Sequence, residues 1–95
     1  MNTTVINIKT RQPYDIYIGR RCRGYKASMF ANPYKIGKDG TRDEVLKKYR
    51  AWFDERLKDE LFKTELENLR GKRLGCWCKP EPCHGDIIVQ FLEKV

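Results

Sequence analysis

Eleven consecutive residues constrain this chain more than any other stretch. Cys76-Trp77-Cys78-Lys79-Pro80-Glu81-Pro82-Cys83-His84-Gly85-Asp86 holds three of the four cysteines and the single histidine. Lys72 to Cys78, following Gly71, reads as a strand, and because proline cannot donate to a β-ladder, Pro80 and Pro82 end it by Lys79. Ile87, Ile88, Phe91, Leu92 and Val95 then fall at i, i+1, i+4, i+5 and i+8, the spacing of an amphipathic helix that starts between Cys83 and Asp86. The segment therefore turns a strand into a helix, and open α/β sheets commonly place ligands at such a junction.

The rest of the chain supplies the elements this junction needs. Thr4 to Lys9 and Tyr14 to Ile18 are β-branched and aromatic runs with partial alternation, separated by Arg11-Gln12-Pro13, and they predict two strands. From Gly19 to Gly40 no period survives, which predicts a long loop with one helical turn near Ala27 to Phe30; a loop of that length in a small domain is more often a binding loop than filler. Thr41-Arg42-Asp43-Glu44 fits a capping box that opens a helix with Val45, Tyr49, Trp52, Phe53 and Leu57 on one stripe. Leu57, Leu61, Phe62, Leu66 and Leu69 form a second stripe up to Gly71, a residue suited to a left-handed cap. With no breaker between Asp54 and Asn68, one bent helix and two separate helices both fit. The order β-β-loop-α-α-β-α implies an α/β domain over residues 1–95, a small sheet of three strands or slightly more with helices packed on it.

Charge locates any anion site. The chain carries 20 Lys and Arg against 13 Asp and Glu, a net +7, and residues 1–40 hold eight of those positives and only two negatives. Such an excess suits a phosphate-bearing ligand or nucleic acid, and equally a solvated basic face. Met1 to Val5 lacks the features of a signal peptide, and no apolar run approaches the roughly 20 residues that span a bilayer, so the expectation is a cytoplasmic protein without a membrane partner. In a reducing compartment clustered cysteines point to a metal or a reactive thiol rather than to disulfides.

Three readings of the junction stand side by side. Cys76 and Cys78, two apart on a strand, would share a face opposite to Trp77, and with Cys83 and His84 they would complete a tetrahedral structural zinc site. Alternatively, a helix beginning at Cys83 or His84 would place free amides and the positive dipole end beside these side chains, lowering the Cys83 thiol and attracting phosphate, with Gly85 letting a ligand approach and Asp86 capping the helix or orienting His84. In the third reading the cysteines are small core residues and His84 and Asp86 only cap. Elsewhere, Arg20 at a strand end is suited to bidentate anion binding, Asn32 before Pro33 to a turn, and Cys22 sits among Arg20, Arg21 and Arg23.

The combination of Ile18-Gly19-Arg20, Asn32-Pro33-Tyr34, Ile36-Gly37, Thr41-Arg42, Tyr49, and Leu69-x-Gly71-Lys72-x-Leu74-x-Cys76-Trp77-Cys78 through Pro80 to Cys83-His84-Gly85-Asp86 resembles the domain of unknown function 4326 family, small proteins of bacteria and their phages. The resemblance runs over nearly the whole chain from Tyr14. It implies that Gly19, Arg20, Asn32, Pro33, Arg42, Cys76, Cys78, Cys83, His84, Gly85 and Asp86, dispersed polar and small residues that a fold alone rarely requires, line a shared pocket.

Two functions are expected from this set. In one, Gly19, Arg20, Asn32, Arg42 and Gly85 bind a nucleotide or nucleoside, and a hydrolytic or group-transferring activity would use His84 as general base, Asp86 to orient it and Cys83 as nucleophile. In the other, zinc held by Cys76, Cys78, Cys83 and His84 staples a non-enzymatic module that binds nucleic acid or a protein partner, as a phage-encoded inhibitor of a host protein would.

Overall fold

A computed structural model describes residues 2–22, 24–79 and 81–93, so expectations resting on Arg23, Pro80 and Val95 lie outside the described residues. Strands β1 (Thr4–Asn7), β2 (Ile16–Tyr17) and β3 (Arg73–Cys76) form one parallel sheet in the order β1-β3-β2, with β3 central. Helices α1 (Arg42–Arg56), α2 (Glu60–Glu67) and α3 (His84–Glu93) complete the predicted α/β architecture. In register, Thr4 to Asn7 face Arg73 to Cys76, and Ile16 and Tyr17 face Leu74 and Gly75.

All three strands are shorter than the sequence suggests, each for a local reason. β1 stops at Asn7, whose side chain accepts the Lys9 amide at 2.9 Å and caps a 3-10 turn over Ile8–Thr10, closed by Arg11 in the left-handed region. β2 keeps two paired residues, although Asp15 and Ile18 each donate a backbone bond to β3 at 2.8 and 3.0 Å and so extend its attachment. β3 ends at Cys76 because its neighbour β1 ends opposite, at Asn7, whose amide group then donates to the Lys79 carbonyl instead. In the long loop, the expected helical turn near residues 27–30 is a hydrogen-bonded turn over residues 28–31, with Ala31 N donating to Ser28 O at 3.1 Å.

The capping box forms as predicted: Thr41 Oγ1 accepts the Glu44 amide, and Glu44 Oε1 accepts the Thr41 amide at 2.9 Å. The two-helix alternative is the one adopted. Asp59 turns to an extended conformation and its carboxylate accepts the Leu61 and Phe62 amides, which starts α2 afresh. This restart rotates the second stripe: Phe62, Leu66 and Leu69 are buried, whereas Leu61 is 66 % exposed and does not belong to the core.

The core lies on the sheet face that presents Leu74 and Cys76, with α1, α2 and α3 above it. Tyr49 is its hub, fully buried, with its ring 5.3 Å from Trp52, 5.8 Å from Phe53 and 5.3 Å from His84, and its hydroxyl donating to the Phe30 carbonyl at 2.7 Å. Each fully buried Leu, Ile or Phe stabilises by about 1.5–3 kcal/mol relative to exposure. The opposite face of β3 is covered by short segments: a Cβ on Gly75 would meet Tyr14 Cδ2 at 2.8 Å and Ile8 Cδ1 at 3.2 Å, so only glycine lets those side chains close over the strand.

Candidate functional site

Parallel strands all point their carboxyl ends the same way, so the chain leaving β2 and β3 opens a cleft at one end of the sheet. This cleft, about 590 Å³, lies between the β3–α3 junction, the amino end of α1 and the loop that follows β2. The volume is in the range of small-molecule sites. Its lining brings together Gly19, Arg20, Asn32, Arg42, Cys76, Cys78, Cys83 and His84 from the expected set. Gly85 and Asp86 do not line it.

The junction wall is tightly built. Asp86 Oδ2 accepts the Cys83 amide at 3.1 Å and its other oxygen pairs with Lys79, so it caps α3 and does not orient His84. Gly85 serves packing rather than ligand approach, since a Cβ there would meet Ile18 Cδ1 and Val5 Cγ2 at 3.0 Å. His84 is 7 % exposed, and its Nε2 lies 2.7 Å from the Ile18 carbonyl. A carbonyl only accepts, so Nε2 carries the proton and donates. Burial, with the Arg20 charge adding to it, outweighs that bond and the nearby Cys78 and Asp86, and moves the imidazole below its usual range, so His84 is a neutral, anchored ring.

The three cysteines gather but differ in role. Cys76 and Cys83 are buried with their sulfurs 3.7 Å apart. Cys78 lies past the end of β3. Trp77 keeps to the face opposite to Cys76, since its Nε1 donates to the hydroxyl of Tyr17, which pairs in register with Gly75, and at the strand end it still borders the cleft with Cys76 and Cys78. The neighbouring Cys76 and Cys83 thiols, and then Arg42, hold the Cys78 thiol well below the ordinary thiol range. The same contacts, with burial, push Cys83 up, the reverse of the lowering a helix terminus alone would give. Among the described residues, no group of three or more His, Cys, Asp or Glu is arranged to hold a metal ion, and the Nε2 of His84 is already committed to Ile18.

The loop wall carries the charge. Arg20 donates from Nε to the Asn32 carbonyl at 2.9 Å and from Nη2 to the Tyr34 carbonyl at 2.6 Å, so two of its five N–H donors shape the loop. Asn32 is a buried turn residue: its Oδ1 accepts the Tyr34 amide at 2.9 Å and its Nδ2 reaches the Val45 carbonyl. Arg42 donates to the Pro82 carbonyl at 2.9 Å and ties α1 to the junction. Arg21 and Lys35 are exposed at the rim. Of the described residues that line the cleft, Arg20, Arg21, Lys35 and Arg42 are cationic and none is Asp or Glu.

Arg21, Tyr34, Lys35, Trp77 and Tyr17 line the cleft beside the expected binding residues. Tyr34 and Trp77 did lie inside the motifs, and Arg21 and Lys35 inside the basic third, but nothing in their spacing marks them as sharing a cavity.

Fold and cleft together define a small parallel α/β domain with a cationic, thiol-containing cleft at the carboxyl ends of its strands. The chain belongs to the DUF4326 family, described as a domain of unknown function, whose family model matches residues 3–94. It is also 40 % identical over 90 residues, covering 82 % of this chain and 83 % of the relative, to an uncharacterized 12.4 kDa protein from the nrdA-td intergenic region of Enterobacteria phage T4. No solved structure matches the chain. No helix among the described residues is long and apolar enough to cross a membrane.

Proposed function

We propose that the cleft binds a phosphate-bearing small molecule, a nucleotide or nucleoside phosphate. The observation that carries this reading is the charge of the lining: four cations and no carboxylate around a cavity of about 590 Å³, in a chain that elsewhere mixes both signs. Four cations outweigh the one thiol, Cys78, that is held low in the cleft, and a recess with an excess of one sign of charge concentrates counter-ions of the other. Arg20 and Arg42 are already fixed by backbone carbonyls, so little ordering remains to oppose binding, while Arg21 and Lys35 at the rim supply steering. The start of α3, at His84, borders the cleft and brings the positive end of the helix dipole to it.

A hydrolytic or group-transfer activity in this cleft would draw on Cys78 rather than on Cys83 or His84. Cys78 is the half-buried thiol beside Arg42, whereas Cys83 is 2 % exposed and His84 is anchored through Ile18. The zinc-stapled module has in its favour only the Cys76 and Cys83 sulfurs, 3.7 Å apart, and stoichiometric zinc in elemental analysis of protein purified without chelator would support it.

The test of nucleotide binding is thermal denaturation against nucleoside mono-, di- and triphosphates and dinucleotides, beside the matching nucleosides. A ligand at about 100 times its Kd stabilises by about 2.7 kcal/mol. Phosphorylated ligands are expected to raise the Tm, less so at high salt. A panel in which no phosphorylated compound moves the Tm would refute the reading.

A further inference from the structure

Four aromatic rings near the cleft take no part in the core. Tyr17, Tyr25, Tyr34 and Trp77 are absent both from the buried cluster and from the partly buried hydrophobics packed on it, and all four are half-buried. Tyr17, Tyr34 and Trp77 line the cleft, and Tyr25 stands directly behind: its ring centroid is 4.7 Å from that of Tyr17 and 5.5 Å, edge-on, from that of Trp77.

The polar atoms of Trp77 and Tyr17 are turned inward. Trp77 Nε1 donates to the Tyr17 hydroxyl at 3.0 Å, and that hydroxyl donates to the Arg20 carbonyl at 2.5 Å. Gly19 makes the arrangement fit, since a Cβ there would come within 2.5 Å of the Tyr17 hydroxyl. The backbone pairing of Cys22 with Tyr25, closed through Gly24 at φ 69°, holds Tyr25 in place. Trp77 and Tyr17 fixed this way offer apolar ring surface, with the indole N–H and the Tyr17 hydroxyl already engaged inside the protein. Half-buried aromatic surface beside four cations is what a planar heterocycle carrying a phosphate would cover.

We infer that Trp77, braced by Tyr17 and Tyr25, is the stacking platform for the base of a nucleoside phosphate whose phosphate lies among Arg20, Arg21, Lys35 and Arg42. This rests on the phosphate reading of the cleft and adds the class of ligand: one with a base, recognised by ring area and not by its hydrogen-bonding edge, so purines are favoured over pyrimidines.

The chain has two tryptophans, and Trp52 lies against the core, so Trp52→Phe leaves Trp77 as the only indole reporter. Fluorescence of this variant is titrated with AMP and with ribose 5-phosphate, which carries the same phosphate and no base; affinities of both for the unaltered protein are measured by calorimetry, so the ratio stands even if the variant is poorly folded. AMP is expected to quench Trp77 and to bind roughly tenfold or more tighter than ribose 5-phosphate, the scale of one base stacked on an aromatic side chain. Trp77→Leu is expected to bring AMP down to the affinity of ribose 5-phosphate while leaving the latter unchanged. Equal affinities without quenching would overturn the platform and leave the phosphate site standing. Failure of both compounds to bind would overturn the phosphate site and the platform with it.

Discussion

The two walls of the cleft differ in what holds them. On the junction side, Cys76, Cys83 and His84 are buried, His84 is bonded to Ile18, and Asp86 closes the helix end, so each polar atom mentioned has a partner inside the protein. On the loop side, Arg21, Lys35 and Ile36 are exposed, and shape comes from a few bonds that Arg20 and Asn32 make to backbone. One wall is an outgrowth of the core and the other is a charged surface laid over it. The first should therefore register in stability and the second in binding, and a substitution that crosses this division would break the comparison.

The largest effect is expected at the hub that backs the junction. Tyr49→Ala removes a fully buried ring that touches His84, Trp52 and Phe53 and leaves the Phe30 carbonyl without its donor, which should cost about 3–5 kcal/mol in urea unfolding. Next comes Gly85→Ala, whose methyl would press on Ile18 and Val5, at a cost of about 1–3 kcal/mol by the same measurement. Because Gly85 lies outside the cleft, AMP affinity of the folded variant should match the unaltered protein; a selective loss of affinity would return Gly85 to the ligand site. Removing the α1 cap with Thr41→Ala should cost about 1 kcal/mol.

Acid provides a gentler probe of the same wall. The folded-state pKa of His84 is lowered by burial, so the unfolded chain binds the proton first as pH falls, and the stability due to the neutral ring, complete above the unfolded value of 6.5, is lost below it. Melting temperature should decline between neutral pH and mildly acidic pH, and His84→Gln should flatten that decline; an unchanged slope in the variant would show that other groups carry it. Smallest of all is the stability effect on the loop wall: Arg21→Ala and Lys35→Ala should shift unfolding by no more than about 0.5 kcal/mol while weakening AMP binding.

What could be read from the sequence follows the same division. The strand-to-helix junction, the capping box at Thr41 and the stripe through Val45, Tyr49 and Phe53 are local patterns, and all form. The break at Asp59 was hidden because an aspartate cap looks like one more charged residue on a helix surface, and with it went the placement of Leu61. Sharing of the cleft by Arg20, Asn32, Arg42, Cys78 and His84 was expected from their company, but which atoms stay free depends on long-range partners. The Ile18 carbonyl takes up His84, and Lys79 takes up Asp86, and neither pairing leaves a trace in spacing. Strand alternation does put Trp77 opposite to Cys76, beside Tyr17, whereas the sharing of the cleft edge by these two rings leaves no trace in spacing.

The central claim, that the cationic cleft is where a phosphate-bearing ligand binds, is tested most directly by amide chemical-shift mapping of labelled protein during titration with AMP. The account predicts shifts clustered at Gly19 to Cys22, Asn32 to Ile36, Arg42 and Cys83 to His84, shrinking as salt is raised. Shifts centred instead on the shallow depression formed by Thr4, Val5, Lys79 and Val89, or no saturable shifts at all, would contradict it.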